Sequence, residues 1–281
     1  MLRRSLVALL LVTLVAACGS GSEAPQPGPA YVAMGDSYVS GPGIAPADGD
    51  SAGCLRSKAD YPALLARTLD VASFTDVSCG GAITDHLMNP FTGPTGPVDA
   101  QLDAVSSATR LVTVGIGGND GNLYEGFFNS CVFPKFRSPS GCRYFATHQA
   151  PQILDTTRSG ITAFLEALAA KAPKAEILLV GYLRILPDTG TCPALGLGRS
   201  YVEDGSSVLR QIDAMQRAAA EDAGVTYVSL RDLSEGHDMC AGSDAWVNGL
   251  RSTTRDGLYL HPKAAGMRAV ADLLAKRFAK D

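Results

Sequence analysis

Residues 31–43 read YVAMGDSYVSGPG: an apolar run ends on Gly35-Asp36-Ser37, and the chain then turns glycine-rich. Gly35 lets the backbone turn sharply off a buried strand, so the hydroxyl of Ser37 can be presented to a cleft. An equally ordinary reading makes Asp36 or Ser37 the cap of the next helix. Two further stretches shift the balance toward chemistry. CGGAIT at residues 79–84 offers the Gly81 N–H with no side chain in its way, and GIGGND at 115–120 leaves the Asn119 amide free to donate. A serine attacking an acyl carbonyl creates an oxyanion, and fixed donors aimed at that oxygen are usually the largest catalytic contribution. The N–H of Ser37, the N–H of Gly81 and the Asn119 side chain are three such donors. Each also has a bland reading, tight packing for the glycines and a turn for Asn119.

That attack needs a base. The chain has four histidines, His86, His148, His237 and His261. His261, in DGLYLHPKAAG, stands before a proline and a terminal amphipathic segment, on a loop that enters a helix. A neutral imidazole there would accept the serine proton and return it to the leaving group. His86 competes because it is close in sequence to Gly81, whereas His148 and His237 read as loop residues. No histidine pair has the H-x-x-x-H spacing and no cysteine pair is C-x-x-C, so neither a metal nor another cofactor is expected.

The elements that must position these groups follow from periodicity. Tyr31–Met34, Ala72–Val77, Leu111–Ile116, Ile177–Val180 and Val225–Leu230 read as short buried strands. Tyr61–Leu69, Ile161–Lys171, Val202–Asp222 and Ala264–Phe278 carry helix-spaced apolar residues. Strands alternating with helices predict a parallel sheet covered on both faces. Chemistry in such sheets gathers at the carboxyl ends of the strands, and GDS, CGGAIT and GIGGND follow the first, second and third predicted strands.

The 281 residues, 46% hydrophobic and 19% charged, suffice for one α/β domain with a real core. A formal net charge of -4 and no arginine- or lysine-rich stripe leave no electrostatic footprint for nucleic acid. The start, MLRRSLVALLLVTLVAACGS, has a basic pair, an apolar run too short to span a bilayer, and small residues, the order of a secretory signal. VAAC ending at Cys18 looks like a bacterial lipobox, in which the signal is cut before a cysteine that is then acylated. The expected organisation is therefore a signal at residues 1–17, a lipidated Cys18 with a flexible Gly/Ser/Pro linker through residue 29, and one domain over 30–281. Loss of residues 1–17 removes two arginines and no acid, taking the net charge to -6. The protein is expected to be exported, either held on the outer face of the cell membrane by its lipid or released, and to act as a monomer.

Beyond Cys18 six cysteines remain, an even number that in an exported chain points to disulfides. Of the fifteen pairings open to six cysteines, sequential pairing is preferred: Cys54 with Cys79, Cys131 with Cys142, and Cys192 with Cys240, each closing one long excursion.

At AMGDSYVSG, CGGAIT, GIGGND and HPKAAG, in that order and across nearly the whole chain after the linker, the sequence resembles the SGNH, or GDSL, hydrolases. Within them it is most similar to secreted, three-disulfide actinobacterial esterases and lipases, which share DTGTCPA (188–194), GHDMC and WVNGL. The resemblance implies a flavodoxin-like three-layer α/β/α sandwich and hydrolysis of carboxylic esters. It makes Ser37 nucleophile and first oxyanion donor, Gly81 and Asn119 the other donors, and His261 the base, and it supports the sequential disulfides. Many members carry an acid three residues before the histidine, where this chain has Leu258. Two orienting groups are therefore weighed for the imidazole: the Asp256 carboxylate, five residues before His261, and the Leu258 backbone carbonyl.

The substrate is less legible. Tyr124, Phe127, Phe128, Phe133 and Phe136 crowd the segment after the third block, where they read either as a wall for an acyl chain or apolar alcohol, or as ordinary burial. Trp246 carries the same pair of readings. Lipid esters, short-chain esters and acylated glycans all fit, and transfer of the acyl group to an acceptor other than water would use the same residues. A binding lipoprotein without turnover is the rival from another class. Its signature would be a missing block residue, and none is missing.

Overall fold

The computed structural model describes residues 28–49, 53–93 and 95–278. In chain order the elements are β1 (Gly28–Gly35), α1 (Ser37–Ser40), α2 (Tyr61–Thr68), β2 (Val71–Asp76), β3 (Phe91–Gly93), β4 (Gly96–Val98), β5 (Leu111–Gly115), α3 (Leu123–Phe127) and α4 (Pro139–Tyr144). Then follow α5 (Ala150–Lys171), β6 (Glu176–Val180), α6 (Arg199–Asp222), β7 (Thr226–Val228) and α7 (Ala264–Phe278). β3 and β4 form a small antiparallel hairpin; the other five strands make one all-parallel sheet in the order β2-β1-β5-β6-β7.

The three-layer sandwich follows from which residues each strand sends to each face. Val32 and Met34 of β1, Val112 and Val114 of β5, and Ile177 and Leu179 of β6 pack with Ile161, Phe164 and Leu168 of α5 and Val208, Ile212 and Met215 of α6. Tyr31 and Ala33, Leu111, and Leu178 and Val180 point the other way, onto Tyr61 and Leu65 of α2 and Met267, Val270 and Leu274 of α7. A strand buried on both faces cannot alternate apolar with polar, which is why these runs are continuously hydrophobic.

The five expected strands and four expected helices are present with altered ends. β1 begins at Gly28, two residues inside the expected linker. α5 begins eleven residues before Ile161: Pro151 lies in its first turn, where the missing N–H costs nothing, so the helix runs on through Gly160. The short α1, α3 and α4 and the hairpin carry too few residues for a periodic signal. The signal sequence, Cys18 and nearly all of the linker lie outside the described residues. Among the described residues no helix is long and apolar enough to cross a membrane.

Three disulfides join Cys54 to Cys79, Cys131 to Cys142 and Cys192 to Cys240, the sequential pairing. The first bears on the site, because Cys79 stands two residues before Gly81 and Gly80 N–H donates to the Cys54 carbonyl at 2.9 Å.

Candidate active site

The strand order reverses its direction of growth between β1 and β5, and ligands of such sheets bind in the crevice at that switch point. Here the ends of β1 and β5 pair through Gly35 and Gly115. Gly35 adopts φ +141°, and a Cβ on it would lie 2.2 Å from the Gly115 carbonyl oxygen, so only glycine lets the two strand ends meet. Gln101 holds the same turn from outside, its amide accepting from Gly35 N–H at 2.7 Å and donating to Gly35 C=O at 2.9 Å.

The two readings of Gly-Asp-Ser turn out to describe one arrangement. Asp36 is the N-cap of the one-turn helix α1 and accepts from Tyr38 N–H at 2.8 Å, while Ser37, the first residue of that turn, is half-buried and faces the crevice. His261 lies beside it, with Nε2 2.9 Å from Ser37 Oγ. The opposite ring nitrogen, Nδ1, is 2.8 Å from the Tyr259 carbonyl. A carbonyl only accepts, so Nδ1 carries the proton and Nε2 offers its lone pair to the serine hydroxyl. Burial disfavours the charged imidazolium and lowers the His261 pKa, and the Tyr259 bond opposes that shift.

Neither expected orienting group reaches the ring. Asp256 is committed elsewhere: Oδ1 accepts from Ala264 N–H at 2.7 Å, the first amide of α7, and Oδ2 lies 3.9 Å from Lys263 Nζ. Helix amides at an N-terminus lack intrahelical partners, so a carboxylate there is well used. The Leu258 carbonyl closes a tight turn, accepting from His261 N–H at 3.3 Å and Asn248 Nδ2 at 3.1 Å. Leu260 takes φ +59° in that turn, and the carbonyl left to meet the ring is that of Tyr259, one residue past Leu258.

The turns that carry the expected donors are bonded to one another at the end of β1: Cys79 N–H donates to the Gly35 carbonyl and Asp36 N–H to the Gly115 carbonyl, each at 3.0 Å. No described residue accepts from the backbone N–H of Ser37 or of Gly81. Gly81 is exposed, with φ +81° and nothing within 4 Å of where a Cβ would stand. Asn119 donates one amide hydrogen to the Ala82 carbonyl at 2.9 Å, which ties the second block to the third and leaves a second hydrogen free.

Other positioning groups carry no motif. Tyr182 O–H donates to Asp36 Oδ2 at 2.5 Å and accepts from Gly118 N–H at 2.9 Å, joining the turn that presents Ser37 to the turn that presents Asn119. Asp36 is 1% exposed, and burial pushes its pKa up to about 7 even though the Tyr182 and Tyr38 bonds favour the carboxylate. Tyr38 O–H donates to the Leu260 carbonyl at 2.6 Å, and its ring lies 5.5 Å from that of His261. Tyr182 falls right after a strand end, in VGYLR, but nothing in that local pattern sets it apart from a packing tyrosine.

The remaining histidines are engaged away from Ser37. His86 stacks on Phe91 at 3.9 Å, His148 stacks on Tyr144 at 4.8 Å, and His237 stacks on Trp246 at 3.8 Å. Of the aromatic segment, Tyr124, Phe127 and Phe128 are buried in the main core, Phe133 packs against it, and Phe136 is 60% exposed. Four of the five rings are core rather than a wall, and Phe136 stands in solvent. Among the described residues no group of three or more His, Cys, Asp or Glu is placed to hold a metal ion.

The model of the GDSL-like Lipase/Acylhydrolase family matches residues 33–269. "Lipase 2" of Streptomyces coelicolor is 35% identical over 252 residues, covering 86% of this chain and 83% of that protein. The crystal structure of phospholipase A1 from Streptomyces albidoflavus superposes with a TM-score of 0.74 at 30% identity, over 89% of this chain and 99% of that one. An extracellular lipase from Streptomyces rimosus gives 0.76 at 28% identity, over 90% of this chain and all 100% of that structure.

Proposed function

The chain belongs to the GDSL-like lipase/acylhydrolase family and is an esterase or lipase, and from that premise we propose that it cleaves carboxylic esters through an acyl-enzyme on Ser37. The observation that supports this most is the 2.9 Å contact between Ser37 Oγ and a His261 Nε2 whose tautomer is set from behind by a carbonyl. Ser37 Oγ attacks the ester carbonyl carbon as its proton passes to Nε2. The carbonyl π pair moves onto oxygen, where Ser37 N–H, Gly81 N–H and Asn119 Nδ2 stabilise the charge. The tetrahedral carbon then expels the alkoxide, which takes the proton from Nε2 and departs as alcohol. Water repeats the sequence: it loses a proton to Nε2, attacks the acyl carbon, and the Ser37 oxygen leaves with that proton.

An orienting carbonyl suffices here. It holds Nδ1–H in line and lies close enough to stabilise the imidazolium by its dipole, without a second buried charge to desolvate. The same reading includes a single catalytic domain from about residue 30, acting as a monomer after export, with residues 1–17 as signal and Cys18 as lipid anchor. The three disulfides support an oxidising compartment.

The deciding experiment is aryl-ester hydrolysis by the purified protein and its Ser37→Ala variant. Loss of at least about a thousandfold in kcat with an unchanged melting temperature is expected, since removing a nucleophile removes the covalent path. Near-parent activity in a folded Ser37→Ala protein would overturn the assignment.

A further inference from the structure

Residues 256–261, the turn that carries His261, offer one backbone carbonyl each, and what fills each of them decides which one stands behind the ring. Gly257 C=O accepts from Thr253 N–H at 3.2 Å, Leu260 C=O accepts from Tyr38 O–H at 2.6 Å, and Tyr259 C=O meets His261 Nδ1 at 2.8 Å. The carbonyls of Asp256, Leu258 and His261 all turn to one residue. Asn248 Nδ2 donates to Asp256 C=O at 2.9 Å and to Leu258 C=O at 3.1 Å, and Asn248 N–H donates to His261 C=O at 2.9 Å. We propose that Asn248 is a positioning residue for the base: its side-chain amide takes the Asp256 and Leu258 carbonyls, so that the Tyr259 carbonyl is the one left to hold His261 Nδ1–H. The role deepens the Ser37–His261 reading above and rests on it.

Asn248, in the WVNGL stretch, is 5% exposed and lies outside the turn it binds. Its segment runs beside that turn through the bridge between Val247 and Pro262 and the bond from Lys263 N–H to Trp246 C=O at 2.7 Å, so the amide approaches from fixed backbone. Its orientation is fixed as well. Thr253 O–H donates to Asn248 Oδ1 at 2.6 Å, which leaves the two Nδ2 hydrogens facing carbonyls, one for each. A carboxylate in its place would set oxygen against oxygen, and an apolar side chain would leave buried carbonyls unpaired.

The competition that Asn248 removes is local. Leu258 and Tyr259 are neighbours, and a second free carbonyl beside Nδ1–H would let the ring swing between two acceptors. Nε2 would then face Ser37 Oγ only part of the time, and misplacing a reacting group by about 1 Å can cost about a hundredfold in rate. Because the amide is neutral, it settles the choice without adding a buried charge beside the imidazolium.

Asn248→Ala removes both side-chain bonds and keeps the N–H that donates to His261 C=O. Aryl-ester kcat is expected to fall at least about tenfold with KM little changed. In proton NMR the hydrogen-bonded Nδ1–H resonance, identified by its absence from His261→Gln, should be sharp in the parent and exchange-broadened or lost in Asn248→Ala. Thr253→Val, at an exposed position, removes only the hydroxyl that orients the amide. It should move both readings the same way, with about a threefold fall in kcat, and serves if Asn248→Ala disturbs folding. A merely structural asparagine would lower the melting temperature and leave kcat and the resonance at parent values. Either reading unchanged in a folded variant, or no Nδ1–H resonance in the parent, overturns the role. Ser37→Ala in the same assay separates the failures: activity that survives it sinks the site reading, whereas Ser37-dependent activity with an unchanged reading sinks the role of Asn248 alone.

Discussion

Ser37 and Asn119 sit on the turns that leave the paired ends of β1 and β5 at the sheet's switch point, whereas His261 sits on a turn away from the strand ends. The first group is over-determined: Gly35 against Gly115, Gln101 on both polar atoms of Gly35, Tyr182 between Asp36 and Gly118, and the Cys54–Cys79 bridge before Gly81. The second is held by loop-to-loop bonds, from Tyr38 O–H to Leu260 C=O, from Asn248 to the carbonyls of Asp256 and Leu258, from Asn248 N–H to His261 C=O, and from the amides of Leu258 and Leu260 to the carbonyls of Pro42 and Gly249. The contrast matches what each side must do. Donors to an oxyanion help in proportion to how little they must reorganise, while the base needs one fixed ring tautomer and an acceptor behind it.

Asn119→Ala tests the rigid side hardest. It removes a candidate donor carried by the turn after β5, and kcat should fall by about a hundredfold to a thousandfold with KM little changed. An equal loss in binding of a substrate analogue would mean that Asn119 holds the ground state instead.

Tyr182→Phe tests whether the link between the two turns matters to chemistry. It leaves the ring packing and deletes the O–H that joins Asp36 to Gly118, and about a tenfold fall in kcat is expected. A purely structural tyrosine would instead lower the melting temperature and leave kcat alone.

The smallest effect is expected on the base side. Asp256→Asn keeps an oxygen for the Ala264 amide and should change kcat/KM less than about threefold. Deprotonated His261 is the active form, so kcat/KM rises with pH through its pKa. Because burial lowers that pKa, the acid limb should be centred below the ordinary histidine value of about 6.5, in parent and variant alike. A limb that moves toward lower pH in the variant would show that the Asp256 charge supports the imidazolium after all.

How much of this was legible depended on whether a local pattern encodes the contact. The sheet and its helices were readable because strands buried on both faces are written as unbroken apolar runs, and helices as stripes. Asn119 and Gly81 could be singled out as candidate donors because close backbone approach and a free N–H demand glycine-rich turns. Tyr182 was not, since its two partners lie 146 and 64 residues away and nothing local distinguishes it from a packing tyrosine. Neither orienting group weighed from the sequence meets the ring: Asp256 caps α7, and between the carbonyls of Leu258 and Tyr259 the choice rests on the left-handed turn at Leu260 and on Asn248 occupying the first. The aromatic segment reads identically as wall or core until the rings are seen inside.

The sequence by itself determined the α/β architecture and singled out the candidate serine, histidine and donors, because each requires a particular residue type in a turn and residue types are what a sequence records. Tertiary structure alone decided what stands behind the imidazole and what ties the two turns together. Those depend on backbone carbonyls, which every residue has, and on contacts between residues far apart in the chain.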